Sequence, residues 1–307
     1  MPLKIALIGA GHMGLIHLGK LIDFEDVEVR GVADIDVDML NSVSEKYHVP
    51  IFTDYKDISD DLDGVVIASS TETHYEAARH FLEKKVHVFI EKPITSRIDQ
   101  GERLIELAEK EDLILQIGHL ERFNPAFKEA ASRIRKPLFV ETRRMSSFTG
   151  RSTDIDVVLD LMIHDIDLTL SIVKEDISEI RAYGLAFISD KLDMASARLV
   201  FEGGCVASIN ASRVSVSKER SITIFEKDKQ YFVDLLNGRL SDNASKKDGN
   251  IETLEYQAEK VDSVKEELSE FINSIRGDKI PCVGGSAGLR ALVIAEKIKE
   301  YIAENKV

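Results

Sequence analysis

The stretch Ile5-Ala6-Leu7-Ile8-Gly9-Ala10-Gly11-His12-Met13-Gly14 decides the fold. A short apolar run ends in three spaced glycines, and the segment that follows, His12 to Ile22, places its apolar side chains at helical spacing. In such a strand-to-helix turn Gly9 permits the tight bend, Gly11 lets main-chain N–H groups approach a pyrophosphate, and Gly14 allows the helix to pack close to the strand. His12 and Met13 belong to the same cofactor-binding turn, at a helix N-terminus whose partial positive charge favours an anion. Asp34 lies 20 residues beyond Gly14, at the end of the second apolar run, where a carboxylate hydrogen-bonds a ribose 2′-hydroxyl and repels a 2′-phosphate. No Lys or Arg stands beside it to hold an extra phosphate, so the pattern predicts NAD rather than NADP. Taken alone, Asp34 also fits a helix N-cap.

Outward from this turn the alternation continues. Val27–Val32 precedes the helical pattern Asp36–Lys46, Val65–Ala68 precedes Tyr75–Glu83, and Val86–Ile90 and Leu113–Ile117 flank a helix marked by Ile98, Leu104, Ile105 and Ala108. This predicts an α/β fold for residues 1–118: a Rossmann doubly wound parallel sheet. From about Leu138 the strands lengthen and alternate. Ala197, Leu199 and Phe201 oppose Arg198, Val200 and Glu202, and a Gly203-Gly204 turn leads into Cys205–Ala211. Residues 119–307 therefore read as an α+β domain with a mainly antiparallel sheet and helices at Val157–Ile172, Val264–Ile275 and Leu289–Ile302. The polar stretch Asn237–Asn250 reads as an exposed loop or hairpin tip.

The length of 307 residues suits two domains, and 44% hydrophobic with 31% charged residues suits an ordered globular chain. A net charge of −14 disfavours nucleic acid and anionic membrane as partners. Cys205 and Cys282 form neither a disulfide framework nor a metal-ligand spacing, and the apolar opening is too short to span a membrane, so a cytoplasmic protein is expected. No metal site is expected: His164, Asp165 and Asp167 lack a second His or Cys at ligand spacing.

Two further motifs are Glu91-Lys92-Pro93 at the end of a strand and Asp160-Leu161-Met162-Ile163-His164 in the second half. Together with the glycine turn and Gly288-Leu289-Arg290-Ala291-Leu292, they resemble the Gfo/Idh/MocA family of NAD(P)-dependent sugar and polyol dehydrogenases over almost the whole chain. The resemblance implies that the second domain carries a large open sheet serving substrate binding and oligomerisation, as a homodimer or homotetramer. It also implies that Lys92, Asp160 and His164 are catalytic, that Glu91 and Lys92 border the cofactor, and that His74 lies near the nicotinamide. The chemistry agrees. Asp160 and His164, four apart on an expected helix, share a face, and an imidazole can take a hydroxyl proton while an ammonium supports the developing alkoxide; either His164 or Lys92 can be the base. The chain departs from the family in having Ile155-Asp156-Val157-Val158 and Met162 where many members carry glycines.

The run Gly118-His119-Leu120-Glu121-Arg122-Phe123-Asn124-Pro125-Ala126 is similar to the nucleotide-sugar branch of that family. The activity this implies is oxidation of the 3-hydroxyl of UDP-N-acetylglucosamine or a related UDP-N-acetylhexosamine, feeding an aminotransferase in lipid A or surface-polysaccharide synthesis. A 2-oxo acid co-substrate would recycle a tightly held NAD. The alternatives are a dehydrogenase of a free aldose or inositol, and a non-catalytic nucleotide-sensing regulator. Residues 119–151 hold eight basic side chains against three acidic ones, a local balance of +5 in an acidic chain. Arginines grip diphosphates bidentately, so Arg122, Asn124 and Arg151 are the expected substrate contacts. The competing reading is that Arg133 complements a helix C-terminus and that Arg143 and Arg144 point to opposite faces of a strand.

Overall fold

A computed structural model describes residues 1–150, 155–246 and 248–305. The chain forms two compact units, residues 1–120 with 262–289, and residues 121–261 with 290–307.

The first unit is built on β1 (Leu3–Ile8), α1 (His12–Ile22), β2 (Val27–Ala33), α2 (Val37–Tyr47), β3 (Ile51–Phe52), β4 (Gly64–Ile67), α3 (Thr71–Glu83), β5 (His87–Glu91), α4 (Ile98–Lys110) and β6 (Leu115–Gly118). All strands run parallel in the order β3-β2-β1-β4-β5-β6, the doubly wound order, and the strand sequence reverses direction between β1 and β4. The central strands are apolar along their whole length because helices cover both faces; Val65, Val66, Val88 and Ile90 are all fully buried.

The second unit begins with α5 (Pro125–Arg133), β7 (Phe139–Met145), a π turn over Val158–Met162 and α6 (Ile163–Ile172). It continues with β8 (Ile177–Leu185), β9 (Met194–Phe201), β10 (Val206–Ser212), β11 (Glu219–Phe225), β12 (Lys229–Asp234), β13 (Arg239–Ser245) and β14 (Ile251–Gln257). The sheet order is β14-β13-β12-β11-β7-β10-β9-β8; β7 and β10 pair in parallel and the other neighbours antiparallel. Strand alternation puts Val140, Thr142 and Arg144 of β7, with Ala207, Ile209 and Ala211 of β10, on the buried face. The expected loop at 237–250 is largely β13, whose inward residues Leu240 and Asp242 alternate with more exposed ones. Its polar composition misleads because Asp242 is buried against Arg133.

The remaining helices are α7 (Ser263–Ile275) and α8 (Gly285–Glu304). The sequence reading places residues 119–307 in one domain, but α7 folds with the first unit. Leu268, Phe271 and Ile272 enter the core made by Ile5, Leu7, Leu18, Leu21 and Phe89, and Phe271 closes over Gly64, where a Cβ would stand 3.2 Å from the ring. An amphipathic period shows that a helix has an apolar face but not which layer that face covers. The first residues of α8 also pack in the first unit, with Gly288 against Ile117, whereas Ala291, Ile294, Ala295, Ile298 and Ile302 join the core of the second.

Candidate active site

Gly9 adopts φ +94°, and a Cβ there would meet the main-chain nitrogen of Ser69 at 2.5 Å. At Gly14 a Cβ would lie 1.9 Å from the carbonyl oxygen of Gly9, so only glycine lets α1 start beside β1. Gly11 has nothing within 4 Å of its would-be Cβ and no side chain that caps α1. The start of α1, at His12 and Met13, thus has no side-chain cap, and a helix N-terminus offers its first N–H groups to an anion.

The Asp34 carboxylate accepts the Ala10 N–H at 2.5 Å and the Asp36 N–H at 2.9 Å, tying the glycine turn to the end of β2. Asp36, not Asp34, caps α2 by accepting the Met39 N–H at 3.0 Å. The N-cap alternative for Asp34 therefore falls. A cavity of about 420 Å³ opens beside this turn, lined by Gly9, Gly11, Asp34, Ile35, Tyr55 and Thr73 among others. Ile35 is 91% exposed, an apolar platform between two aspartates. These residues fit a dinucleotide: bare glycine backbone for the pyrophosphate, a carboxylate for the ribose, and an apolar slot for a base. Ile35, Thr53, Tyr55, Ser69 and Thr73 escape sequence reasoning; the one available signal is an isoleucine held between Asp34 and Asp36 at a strand end.

Glu91 ends β5, and Lys92, half-buried, opens the turn after it through a cis bond to Pro93. His74 is buried: its Nδ1 lies 3.0 Å from the Pro93 carbonyl oxygen and its Nε2 3.1 Å from that of Ser69. Both ring nitrogens thus face main-chain carbonyls, which places His74 between Ser69 and the Lys92-Pro93 turn. Burial lowers its pKa, more than the carbonyl contacts at Pro93 and Ser69 raise it, so the ring is neutral near pH 7.

In the second unit Asp160 lies within the π turn and His164 in the first turn of α6; both are half-buried. The expected uninterrupted α-helix is therefore broken at the motif. The Asp156 carboxylate accepts the N–H groups of Val158 and Leu159, each at 3.0 Å, and starts the turn. Such π turns occur often at functional sites.

Directly after His164, Asp165 is buried and accepts from Arg144 Nη2 at 2.7 Å and from its Nε at 3.1 Å. Arg144 Nη1 also donates to Glu121 at 2.8 Å. Burial alone would weaken the Arg144 cation, but the two carboxylates outweigh it and hold the group charged.

Four arginines of the basic island of residues 119–151 are paired with carboxylates in three dimensions. Arg122 is bound bidentately by Asp167, at 2.6 and 2.9 Å. Arg133 is held by Glu129 and Asp242, and Arg143 by Glu219 on the opposite face of β7 from Arg144. Two of the Arg122 donors are therefore engaged by α6. Asn124 is likewise taken up by the fold: its side-chain oxygen caps α5 through the Ala126 N–H at 3.1 Å, and its amide donates to the Leu235 carbonyl at 3.0 Å. Arg151 lies outside the described residues. Asp165 and Asp167, weighed as metal ligands beside His164, each receive an arginine instead.

The model of an oxidoreductase family with an NAD-binding Rossmann fold matches residues 3–119, and the Gfo/Idh/MocA C-terminal domain matches residues 128–231. The chain is 32% identical over 303 residues to a UDP-N-acetylglucosamine 3-dehydrogenase of Acidithiobacillus ferrooxidans, covering 97% of this chain and 96% of that one. A solved structure of such an enzyme from the same organism superposes with a TM-score of 0.94 at 31% identity over 99% of both chains. A myo-inositol 2-dehydrogenase of Thermotoga maritima is 28% identical, over 99% of this chain and 97% of its own.

Proposed function

The chain belongs to the Gfo/Idh/MocA family of NAD-binding oxidoreductases, and on that premise we propose that it oxidises the 3-hydroxyl of UDP-N-acetylglucosamine or a related UDP-N-acetylhexosamine. The observation that carries the substrate is the 32% identity to a UDP-N-acetylglucosamine 3-dehydrogenase along nearly the whole of both chains. The free-polyol alternative rests on the lower identity to the inositol enzyme.

NAD, held by the Gly9–Gly14 turn and Asp34, supplies the hydride acceptor when bound. The chain's own residues manage the proton and the charge. His164 takes the proton from the substrate hydroxyl, as an imidazole readily does near neutrality. The Lys92 ammonium donates to the oxygen as negative charge develops there, an interaction stronger in the transition state than in the ground state. Asp160 supports His164 from the preceding turn, and Arg144 fixes α6 through Asp165.

The test is a substrate panel with NAD, read by NADH absorbance with and without a 2-oxo acid. Turnover of UDP-N-acetylglucosamine, its loss in Lys92→Ala and His164→Ala, and a 3-keto product support the proposal; turnover of free inositol or aldoses alone overturns it. Belonging to the same proposal are a 2-oxo acid as the recycling oxidant, a homodimer or homotetramer, a cytoplasmic location, and a partner aminotransferase in lipid A or surface-polysaccharide synthesis. Sedimentation and coupled assays with the aminotransferase address the assembly and the pathway.

A further inference from the structure

Glu91 is the last residue of β5 and pairs in register with Gly118, the last residue of β6. Its carboxylate lies directly against that glycine, where a Cβ would stand 3.0 Å from Cδ and from Oε2. Oε1 sits 2.7 Å from His17 Nε2, and Oε2 accepts the main-chain N–H of Lys92 at 3.2 Å. A carboxylate only accepts, so the imidazole carries a proton on Nε2 and donates it to Glu91. His17 is fully buried on α1, the helix that the glycine turn opens, and meets Phe89 edge-on at 5.3 Å. On the far side of the same turn, His74 of α3 reaches the Pro93 carbonyl at 3.0 Å. That helix starts beside Ser69 and Ser70, which line the dinucleotide cavity. Two buried histidines from the two helices that frame the cofactor site thus brace one turn, the turn that carries Lys92.

We propose that His17, acting through Glu91, and His74, acting through the Pro93 carbonyl, are positioning residues that aim Lys92 at the reacting oxygen. The proposal rests on the reading of Lys92 as the group that contacts the substrate. A buried imidazole–carboxylate pair with no such role would affect stability alone, and that difference is measurable.

The matched pair His17→Gln and His17→Met isolates the hydrogen bond: both side chains are unbranched and similar in length, but only glutamine offers an N–H to Glu91. In the NAD-loaded enzyme, the rate at which a small amine-reactive reagent modifies Lys92 is read by peptide mass spectrometry against Lys4 and Lys110 as internal references. The expected result is a several-fold change at Lys92 in His17→Met and recovery in His17→Gln. With it, kcat falls by about 10²-fold in His17→Met, the consequence of a misplacement of order 1 Å, while the KM for NAD stays within a few-fold. A lowered melting temperature with unchanged Lys92 labelling and unchanged kcat overturns the proposal. If His17→Met does not fold, His74→Gln and His74→Met supply the same comparison from the other side of the turn. Turnover surviving in Lys92→Ala would remove the catalytic reading of Lys92, whereas the labelling contrast tests the brace independently of turnover.

Discussion

Arg122 and Asp167 form a two-bonded ion pair, Nε to Oδ2 at 2.6 Å and Nη2 to Oδ1 at 2.9 Å, between the short turn after the first unit and the middle of α6. The Asp167 side chain is 3% exposed. Removing Arg122 takes a two-bonded cationic partner from a buried carboxylate, a change that costs about 3–5 kcal/mol. Arg122→Leu is therefore expected to lower the urea midpoint steeply, and Arg122→Leu/Asp167→Leu to recover much of the loss in a double-mutant cycle. The KM for a UDP-sugar, measured on folded Arg122 variants, is expected to stay near wild type. A rise of about tenfold or more without loss of stability would return Arg122 to the substrate.

The glycines of the dinucleotide turn separate folding from binding. Gly11 has φ −67° and open space where a Cβ would go, so Gly11→Ala is expected to melt like the wild type yet lose the stabilisation that NAD confers. Gly14→Ala forces a Cβ onto the Gly9 carbonyl and is expected to destabilise the protein itself by about 1–3 kcal/mol or more. Thermal melts with and without NAD check both; an undiminished NAD shift in Gly11→Ala would contradict the assigned pyrophosphate site.

His74 gives the first unit an acid sensitivity of known sign. Burial lowers its folded pKa below the ordinary imidazole value of 6.5, despite opposing carbonyl contacts from Pro93 and Ser69. Above that value neither state binds the proton; below it the unfolded chain does first, so stability falls by up to about 1.4 kcal/mol per pH unit until the folded pKa is reached. His74→Asn removes this contribution. The stability gap between wild type and variant is expected to narrow as pH falls through the range below 6.5, read from urea midpoints at several pH values. His80 and His87, also lowered by burial, are common to both proteins and cancel in the comparison.

The two thiols differ in reactivity. Cys205 is buried and its pKa is pushed up to about 11 by burial and by the nearby Glu175, whereas Cys282 is exposed. A thiol reagent is expected to modify Cys282 alone in the native protein and both cysteines in denaturant, because the thiolate is the reacting form. Equal rates at both sites would mean that the core around Cys205 opens readily.

Much of the chemistry was legible along the chain because it depends on local backbone. The spacing of Gly9, Gly11 and Gly14, the 20 residues to Asp34, and the alternation that folds residues 1–118 are short-range facts. Gly9, Gly11 and Asp34 line one cavity in the structure. What the order of residues along the chain does not reveal is a partner that lies far away. Eight basic residues against three acidic ones in 119–151 suggested an anion site, but Arg122 is matched by a carboxylate 45 residues on and Arg144 by one 21 residues on. A window of sequence counts charges; it does not show which charges are paired.

The sequence by itself determined the cofactor class and the succession of a parallel and a mainly antiparallel sheet, because periodicity and glycine sterics act over a few residues. Only the tertiary structure decided that α7 completes the core of the first unit, that Arg122 and Arg144 of the basic island meet carboxylates outside it, and that His17 reaches Glu91 across 74 residues of chain. These are choices of partner among many chemically equivalent candidates. Coulomb attraction and hydrogen bonding act through space, so the fold must exist before they can be assigned.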